Sequence, residues 1–593
     1  MRRDLALLSA GSHDVIVVGG GIHGACAAWE AARLGLQVAL IEAGDFNQAT
    51  SSNSLRTLHG GLRHLQRLDL VHMRESVRER REWLRLAPEL SQPLRFVLPA
   101  GGRGARSLAR NLMLLRAALW VNDLLSADRN RDVRPDHYLP RGGILTRSEL
   151  ESQYPGLSVA DCRGAAAWYD AVCLNTERLQ LAVVASAAAC GAQVANYLRA
   201  LEPLVEGSNI AGVRVRDELT GREFQLRAPL VINAAGPWIE QWLIDAPSRR
   251  EAPAFRASKA FNLLVREFPF HDALGLSVKL RASRSDERST YFIMPWNGYA
   301  LVGTRHLRCD HAMRSARVSR DEVLEFLADL NPQLGEHRLC GADVYGVFSG
   351  LLPEVEGNCG ADVALERAPR IIEHTEHGLH GLLSIIGVKW TTARSVGEQA
   401  ANLVCRRLGK LGRPAGERAL TGLAGAPPAL YTDPTLGVRV VPDLAVVLGQ
   451  VVHAVRDEMA MRLSDVVRRR TPLYLSPALD RSVLAACAAV MARELRWSRR
   501  DVSTEIDAAE ADIAAFRGPL QAEESNYASP RSRSTELFPY ATAGAQCGTA
   551  VAVADVPEVA QKATEGRAAH ALDGPGGTGG AGERCALPVD FRP

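Results

Sequence analysis

His59, in the turn His59-Gly60-Gly61, and Lys389, in the stretch GVKWTTAR, are the two side chains of this sequence best suited to move a proton or meet an anion. An imidazole is poised near neutral pH and serves as a base for a hydroxyl proton. The two glycines after His59 let backbone come close to a flat ring. Other histidines, such as His72 and His453, fall on helical patterns and read as surface or packing residues. A lysine held between an apolar strand and a helix start is costly unless it faces an anion or a cofactor. The chain has five lysines against 65 arginines, so a compact ammonium at 389 answers a need that arginine does not meet.

These groups need a scaffold, and the scaffold is written in residues 14–42. Val15 to Val18 form a β-branched run that reads as a buried parallel strand. Gly19, Gly21 and Gly24 follow in the spacing G-x-G-x-x-G. The first permits a tight turn, the second lets a pyrophosphate approach the backbone, and the third lets a helix over 25–34 pack on the strand. Gly35 ends that helix, 38–41 is the next strand, and Glu42 closes it. A carboxylate there accepts from ribose hydroxyls and repels a 2′-phosphate, which points to NAD or FAD over NADP. The next stretch is too polar and too rich in Gly and Ser for a plain crossover. Thr50, Ser51 and Ser52 offer small hydroxyls to a second phosphate region.

The pattern TSS-x-S-x(4)-HGGLR resembles the motif of FAD-dependent glycerol-3-phosphate dehydrogenases, within the D-amino-acid-oxidase-like superfamily. The resemblance covers roughly residues 13–518. It implies FAD as cofactor, oxidation of a secondary alcohol on a phosphorylated polyol, and a quinone or other electron acceptor. By the same resemblance His59 is the candidate base, Arg63 matches an active-site arginine, and Arg367 falls near an arginine for the substrate phosphate. Lys389 matches the lysine of G-x-K-x-T-T-x-R, and Gly236 in AAG belongs to a turn near the dinucleotide phosphates. A helix beginning near Thr391 would set its amides over the flavin end of the cofactor. The sequence departs from the family at three places. Leu352 stands where S-G-[VL]-R-P has its phosphate-binding arginine, Arg305-His306 replace the last two residues of G-T-T-D, and His64 stands where tyrosine is common. These departures suggest that Arg305 takes over anion binding, or that the substrate has changed. Two rivals stand beside this reading: an amine or amino-acid oxidase, and a catalytically altered flavin-binding homologue.

The expected fold class is α/β: a Rossmann-like FAD-binding domain, a mostly antiparallel β substrate domain and a small C-terminal helical domain. The boundaries fall at 12–95, 160–240 and 340–405 for the first, with 344–353 returning to it. Residues 96–159 and 241–339 form the second, with a hairpin turn at Asn297-Gly298 and a capping box of Ser319 and Glu322. Residues 428–520 form the third, and 521–593 have the composition of a disordered tail. Residues 62–86 read as one amphipathic helix, and 101–125, with Arg103, Arg106, Arg110 and Arg116, as a basic amphipathic segment for a membrane interface.

A net charge of +3 on 593 residues gives no reason to invoke nucleic acid. Eleven cysteines without C-x-x-C pairs indicate neither zinc nor a disulfide framework. The start MRRDLALLSAG reads as an ordinary N-terminus, and 179–198 as a buried helix running into a strand. The expected location is the cytoplasm, peripheral on the inner face of the cytoplasmic membrane, with a second copy of the chain as a candidate partner.

Overall fold

The computed structural model describes residues 1–100, 111–159, 161–240, 256–266, 268–280, 288–309, 316–355, 363, 365–366, 368–412, 419–420, 429–518 and 520. Val15–Val18 is buried along its whole length, as a β-branched run covered on both faces must be. It pairs in parallel with Val38–Ile41 on one side and Leu230–Asn233 on the other. The sheet continues to Leu382–Ile386 and the antiparallel edge Arg370–Glu373 in one direction, and to Gln193–Ala195 in the other. The crossover helix is Ile22–Arg33, beginning three residues before the expected start because extended Gly21 already serves as its N-cap. It packs against Ala393–Arg407, where a Cβ on Gly397 would fall 2.6 Å from the Cys26 carbonyl carbon.

A second sheet has nine strands among the described residues. Its order is Val344–Glu354, Arg256–Arg266, Tyr299–Arg308, Arg288–Trp296, Ala273–Lys279, Ser91–Ala100, Gly164–Cys173 and Thr57–Leu58, with Gly143–Thr146 also on Gly164–Cys173. The expected hairpin is present: Asn297 and Gly298 both have positive φ, 51° and 72°, which matches the twist of the flanking strands. Arg320–Leu334 covers one face, starting in the capping box of Ser319 and Glu322. Its Phe326 meets Phe261 and Tyr291 edge-on, at 5.6 and 4.9 Å between ring centres.

Two sequence expectations are corrected here. Residues 344–353 do not return to the nucleotide sheet. They pair antiparallel with Arg256–Arg266 at the edge of the large sheet. An apolar run reads alike in either sheet, and only its partners decide which it joins. The amphipathic segment 62–86 is not one helix: a 3₁₀ turn, Leu62–Arg67, is followed by Leu68 at φ 57° and then by Leu70–Leu86. Asp69 accepts from the His72 N–H at 3.2 Å and starts the second piece as its N-cap.

Helices Leu448–Glu458, Arg481–Leu495 and Arg499–Arg517 form the helical C-terminal part. Phe516 joins it to the large sheet through Phe348, 5.1 Å away. The tail 521–593 and the arginines at 103, 106 and 110 lie outside the described residues. Among the described residues no helix is long and apolar enough to cross a membrane.

Candidate active site

The C-terminal ends of Val15–Val18 and Val38–Ile41 open into a cavity of about 2370 Å³ whose other wall is the large sheet. At the nucleotide end the glycines are dictated by contact. A Cβ on Gly24 would lie 1.9 Å from the Gly19 carbonyl oxygen, and Gly19 itself has φ 106°. Helix and strand therefore touch where the turn leaves the sheet, the close packing that a bound pyrophosphate needs. Gly21 sits at the helix start beside Ser51, whose hydroxyl accepts from the Ile22 N–H at 3.0 Å. Glu42 accepts from the N–H groups of Gly20 and Gly44, at 2.6 and 2.8 Å. Burial pushes its carboxyl above the usual range, against the pull of those two bonds.

The three expected hydroxyls do not act alike. Thr50 spends its hydroxyl on the Leu351 peptide, donating to the carbonyl at 3.0 Å and accepting from the N–H at 3.1 Å. Ser52 donates to the Ala49 carbonyl at 3.3 Å. All three line the cavity, and of the three Ser51 bonds to the helix start. Gly236 has φ 58° and no atom within 4 Å of where a Cβ would stand, so its need for glycine is conformational.

At the far end the turn after Leu58 brings several chain segments together. The His59 N–H donates to Thr391 Oγ1 at 3.0 Å, and the Thr391 carbonyl accepts from Trp83 Nε1 at 2.9 Å. His59 Nδ1 lies 3.9 Å from Asp170, whose other oxygen accepts from the Gly60 N–H at 2.7 Å and from Arg80. A Cβ on Gly60 would strike the Arg80 guanidinium, so this glycine makes room for an ion pair behind the turn. Gly61 has φ 79°. Burial alone would raise the Asp170 carboxyl, but Arg80 and His59 hold it below the ordinary range. Asp170 escaped the sequence reading, although it is the only charged residue of the buried strand Gly164–Cys173.

Lys389 Nζ is 2.5 Å from His64 Nε2, and burial, with Arg63 nearby, lowers its pKa. Arg63 is exposed on the same side of the cavity. The helix expected near Thr391 begins at Ala393, after Thr392 as N-cap. Arg367 lies outside the described residues.

Arg305 is not where the anion hypothesis needs it. Its guanidinium is buried under Arg320–Leu334, 3.3 Å from Asp329 and 3.2 Å from the Tyr291 hydroxyl. The reason is strand alternation: Arg305 pairs with Phe261, whereas its neighbour His306 pairs with Ala260, which pairs in turn with Gly350. Gly350 abuts Thr50, so His306 and Arg308 share the cavity face with Leu352. His306 Nδ1 is buried with no hydrogen-bond partner among the described residues. Burial, together with Arg63 and Arg305, lowers its pKa to about 4. The sequence does carry this signal, because Gly350 and His306 fall on one face once the register is known.

A family model for FAD dependent oxidoreductases matches residues 14–394, and one for the C-terminal domain of alpha-glycerophosphate oxidase matches 416–502. A glycerol-3-phosphate dehydrogenase of Synechocystis sp. is 30% identical over 544 residues, 84% of this chain and 95% of that protein. The chain belongs to the glycerol-3-phosphate dehydrogenase family of FAD-dependent oxidoreductases. A second family member, the mitochondrial glycerol-3-phosphate dehydrogenase of Macaca fascicularis, is 27% identical over 564 residues, 85% of this chain and 74% of that one. The crystal structure of the glycerol-3-phosphate dehydrogenase from Bacillus halodurans, complexed with FAD, shares the fold with a TM-score of 0.65. It is 22% identical and spans 87% of this chain and 97% of its own. The family's cofactor suits the contacts above, since the Gly19–Gly24 cradle and the Glu42 carboxylate are what an adenine dinucleotide requires.

Proposed function

We propose that the protein oxidises sn-glycerol 3-phosphate, or a closely related polyol phosphate, to dihydroxyacetone phosphate and passes the electrons to a quinone. The observation that carries this reading is one continuous cavity holding both the dinucleotide cradle and a wall of His59, Arg63, Lys389 and His306. FAD, held by Gly19, Gly21, Gly24, Ser51 and Glu42, supplies a two-electron acceptor for hydride when bound. His59, oriented by Asp170 and by its own N–H on Thr391, takes the hydroxyl proton. Arg63 and His306 hold the phosphate, in place of the arginine that Leu352 has displaced.

A membrane surface supports the choice of quinone. Helix Leu112–Leu125 buries Leu115 and Leu119, yet leaves Met113, Leu114, Trp120 and Leu124 exposed on its other side. Leu68, Leu70 and Val71, which follow the turn Leu62–Arg67 that packs on this helix, are exposed as well. An outward face of this composition is suited to the boundary of a bilayer.

The test is direct. The purified protein is yellow, glycerol 3-phosphate bleaches the flavin without oxygen, and a soluble quinone restores the colour. Bleaching by amines alone, or by no substrate at full flavin loading, would sink the proposal.

A further inference from the structure

Lys389 and His64, 325 residues apart in the chain, meet with Nζ and Nε2 at 2.5 Å. The opposite ring nitrogen of His64, Nδ1, lies 3.2 Å from Asp69 Oδ2. An ionised carboxylate only accepts, so Nδ1 carries the hydrogen and Nε2 is left to accept from the amine. The same carboxylate oxygen lies 2.8 Å from His72 Nδ1. The two imidazoles are stacked 5.8 Å apart. Along this series the side chains become progressively more exposed: 12% at His64, 34% at Asp69 and 38% at His72. The other candidate way out is closed. Beyond His59, the Asp170 carboxylate is buried and already engaged by Arg80, the Gly60 N–H and Trp168 Nε1.

We infer that Lys389, His64 and Asp69, with His72 holding the Asp69 carboxylate in place, form a proton-exit path from the substrate end of the cavity to solvent. The inference rests on the alcohol oxidation proposed above. In that reaction the substrate C–H bond breaks with its electron pair going to the bound flavin as hydride. The O–H bond breaks, a C=O bond forms, and one proton is left in the cavity. His59 holds that proton first; neutral Lys389, on the wall of the same cavity, receives it from there and donates one to His64 Nε2. His64 gives up its Nδ1 proton to the Asp69 carboxylate, which releases it to water, while the Nδ1–H of His72 donates to that carboxylate from its other side. The charged groups that act on the path are Glu75, Asp69 and Arg63 at Lys389, and Lys389, Asp69 and His72 at His64. Asp69 and Glu75 favour a proton on Lys389, whereas Arg63 and burial favour the neutral amine that can accept one. His64 acts through Lys389, so it is a positioning and relay residue and not a catalytic one.

The experiment compares wild-type holoenzyme with His64→Phe and the milder His64→Gln in stopped-flow reduction by glycerol 3-phosphate. A general acid–base step is typically worth about 10² or more in rate. The expected result is a fall of about that size in the reduction rate with an unchanged substrate dissociation constant. The solvent isotope effect should be larger than in wild type, and added imidazole should recover part of the rate. A raised dissociation constant at an unchanged rate would make His64 a substrate ligand and overturn the path. So would rates that equal wild type in both variants. A second readout needs no turnover: ¹⁵N-histidine spectra of resting holoenzyme should show His64 protonated at Nδ1, and Lys389→Met should shift its Nε2 resonance by removing the amine that donates to it. A His64 resonance unaffected by Lys389→Met would also refute the path. Wild-type flavin that glycerol 3-phosphate does not bleach would instead refute the proposed function.

Discussion

Arg470 grips the Asp45 carboxylate through two N–H bonds, Nη1 at 2.7 Å to one oxygen and Nη2 at 2.8 Å to the other. Asp45 lies three residues beyond Glu42, and Arg470 belongs to the helical C-terminal part, so the pair ties that part to the nucleotide end. Arg469 adds a third bond to the same carboxylate at 2.6 Å. Burial alone would raise the Asp45 carboxyl, but the two arginines hold it below the ordinary range. Asp45→Asn removes the carboxylate that buried Arg470 binds and one of the two on Arg469, which keeps Asp465 at 2.6 Å, and removing one partner of such a group costs about 3–5 kcal/mol. Calorimetry should show a clearly lower Tm. A depressed folded-state pKa contributes stability that is complete above the unfolded carboxylate value of about 3.9 and is lost as the pH falls below it. The gap between wild type and Asp45→Asn should therefore narrow in acid. An equal Tm at neutral pH would show that the tie is not needed.

Glu42 should govern FAD affinity more than stability. Its carboxylate bonds to two backbone N–H groups and is aimed into the cavity. Hydrogen bonds to a charged group are worth about 1.5–3 kcal/mol, so Glu42→Ala should weaken FAD binding by one to two decades in a fluorescence titration of apoprotein. Because burial raises this pKa, the accepting form is lost at a higher pH than for an ordinary glutamate. Affinity in wild type should fall on mild acidification, and the variant should show no such slope.

His306 and Arg305 give opposite predictions from adjacent positions. His306→Ala should raise the KM for glycerol 3-phosphate by about tenfold, the value of one charge-assisted bond, and leave the KM for an unphosphorylated analogue unchanged. Arg305→Ala takes a buried cation from beside Asp329 and should lower Tm by several degrees with little effect on KM. Leu352→Arg, on the same face as His306, should lower KM. Steady-state kinetics on both substrates checks all three, and an Arg305→Ala effect confined to the phosphorylated one would reverse the assignment.

Much of this was legible in the residues. The Gly19–Gly24 turn, Glu42, the Asn297-Gly298 hairpin and the Ser319 capping box are local devices, each determined within a few positions of the chain. Arg305 was misread because a period-2 strand assigns faces only after its register is known, and the register is set by pairing with Phe261, 44 residues away. The partner of Thr50 was out of reach for a related reason: its hydroxyl donates to Leu351, 301 residues on. Residues 344–353 carried no internal sign of which sheet they would join. Lys389 stood out by its rarity, but its partner His64 was noted only as a departure from tyrosine.

The exposed apolar face makes a prediction about membranes that needs no assay of activity. Met113 is 84% exposed and Trp120 68%, both on the outward side of helix Leu112–Leu125, and Leu68, 81% exposed, follows the turn Leu62–Arg67 that packs on that helix. Solvent exposure of this much apolar side chain is unfavourable, and burying each in an acyl boundary recovers about 1.5–3 kcal/mol. Arg116, also exposed on this helix, adds attraction to anionic headgroups. Met113→Glu with Trp120→Glu should reduce sedimentation with phosphatidylglycerol vesicles by at least tenfold, a conservative fraction of that energy. Neither residue lines the cavity, so flavin reduction by glycerol 3-phosphate in solution should be unchanged while turnover with a vesicle-embedded quinone falls. Vesicle binding that is equal in wild type and the double variant would separate the apolar face from the membrane and leave the electron acceptor to be sought in water.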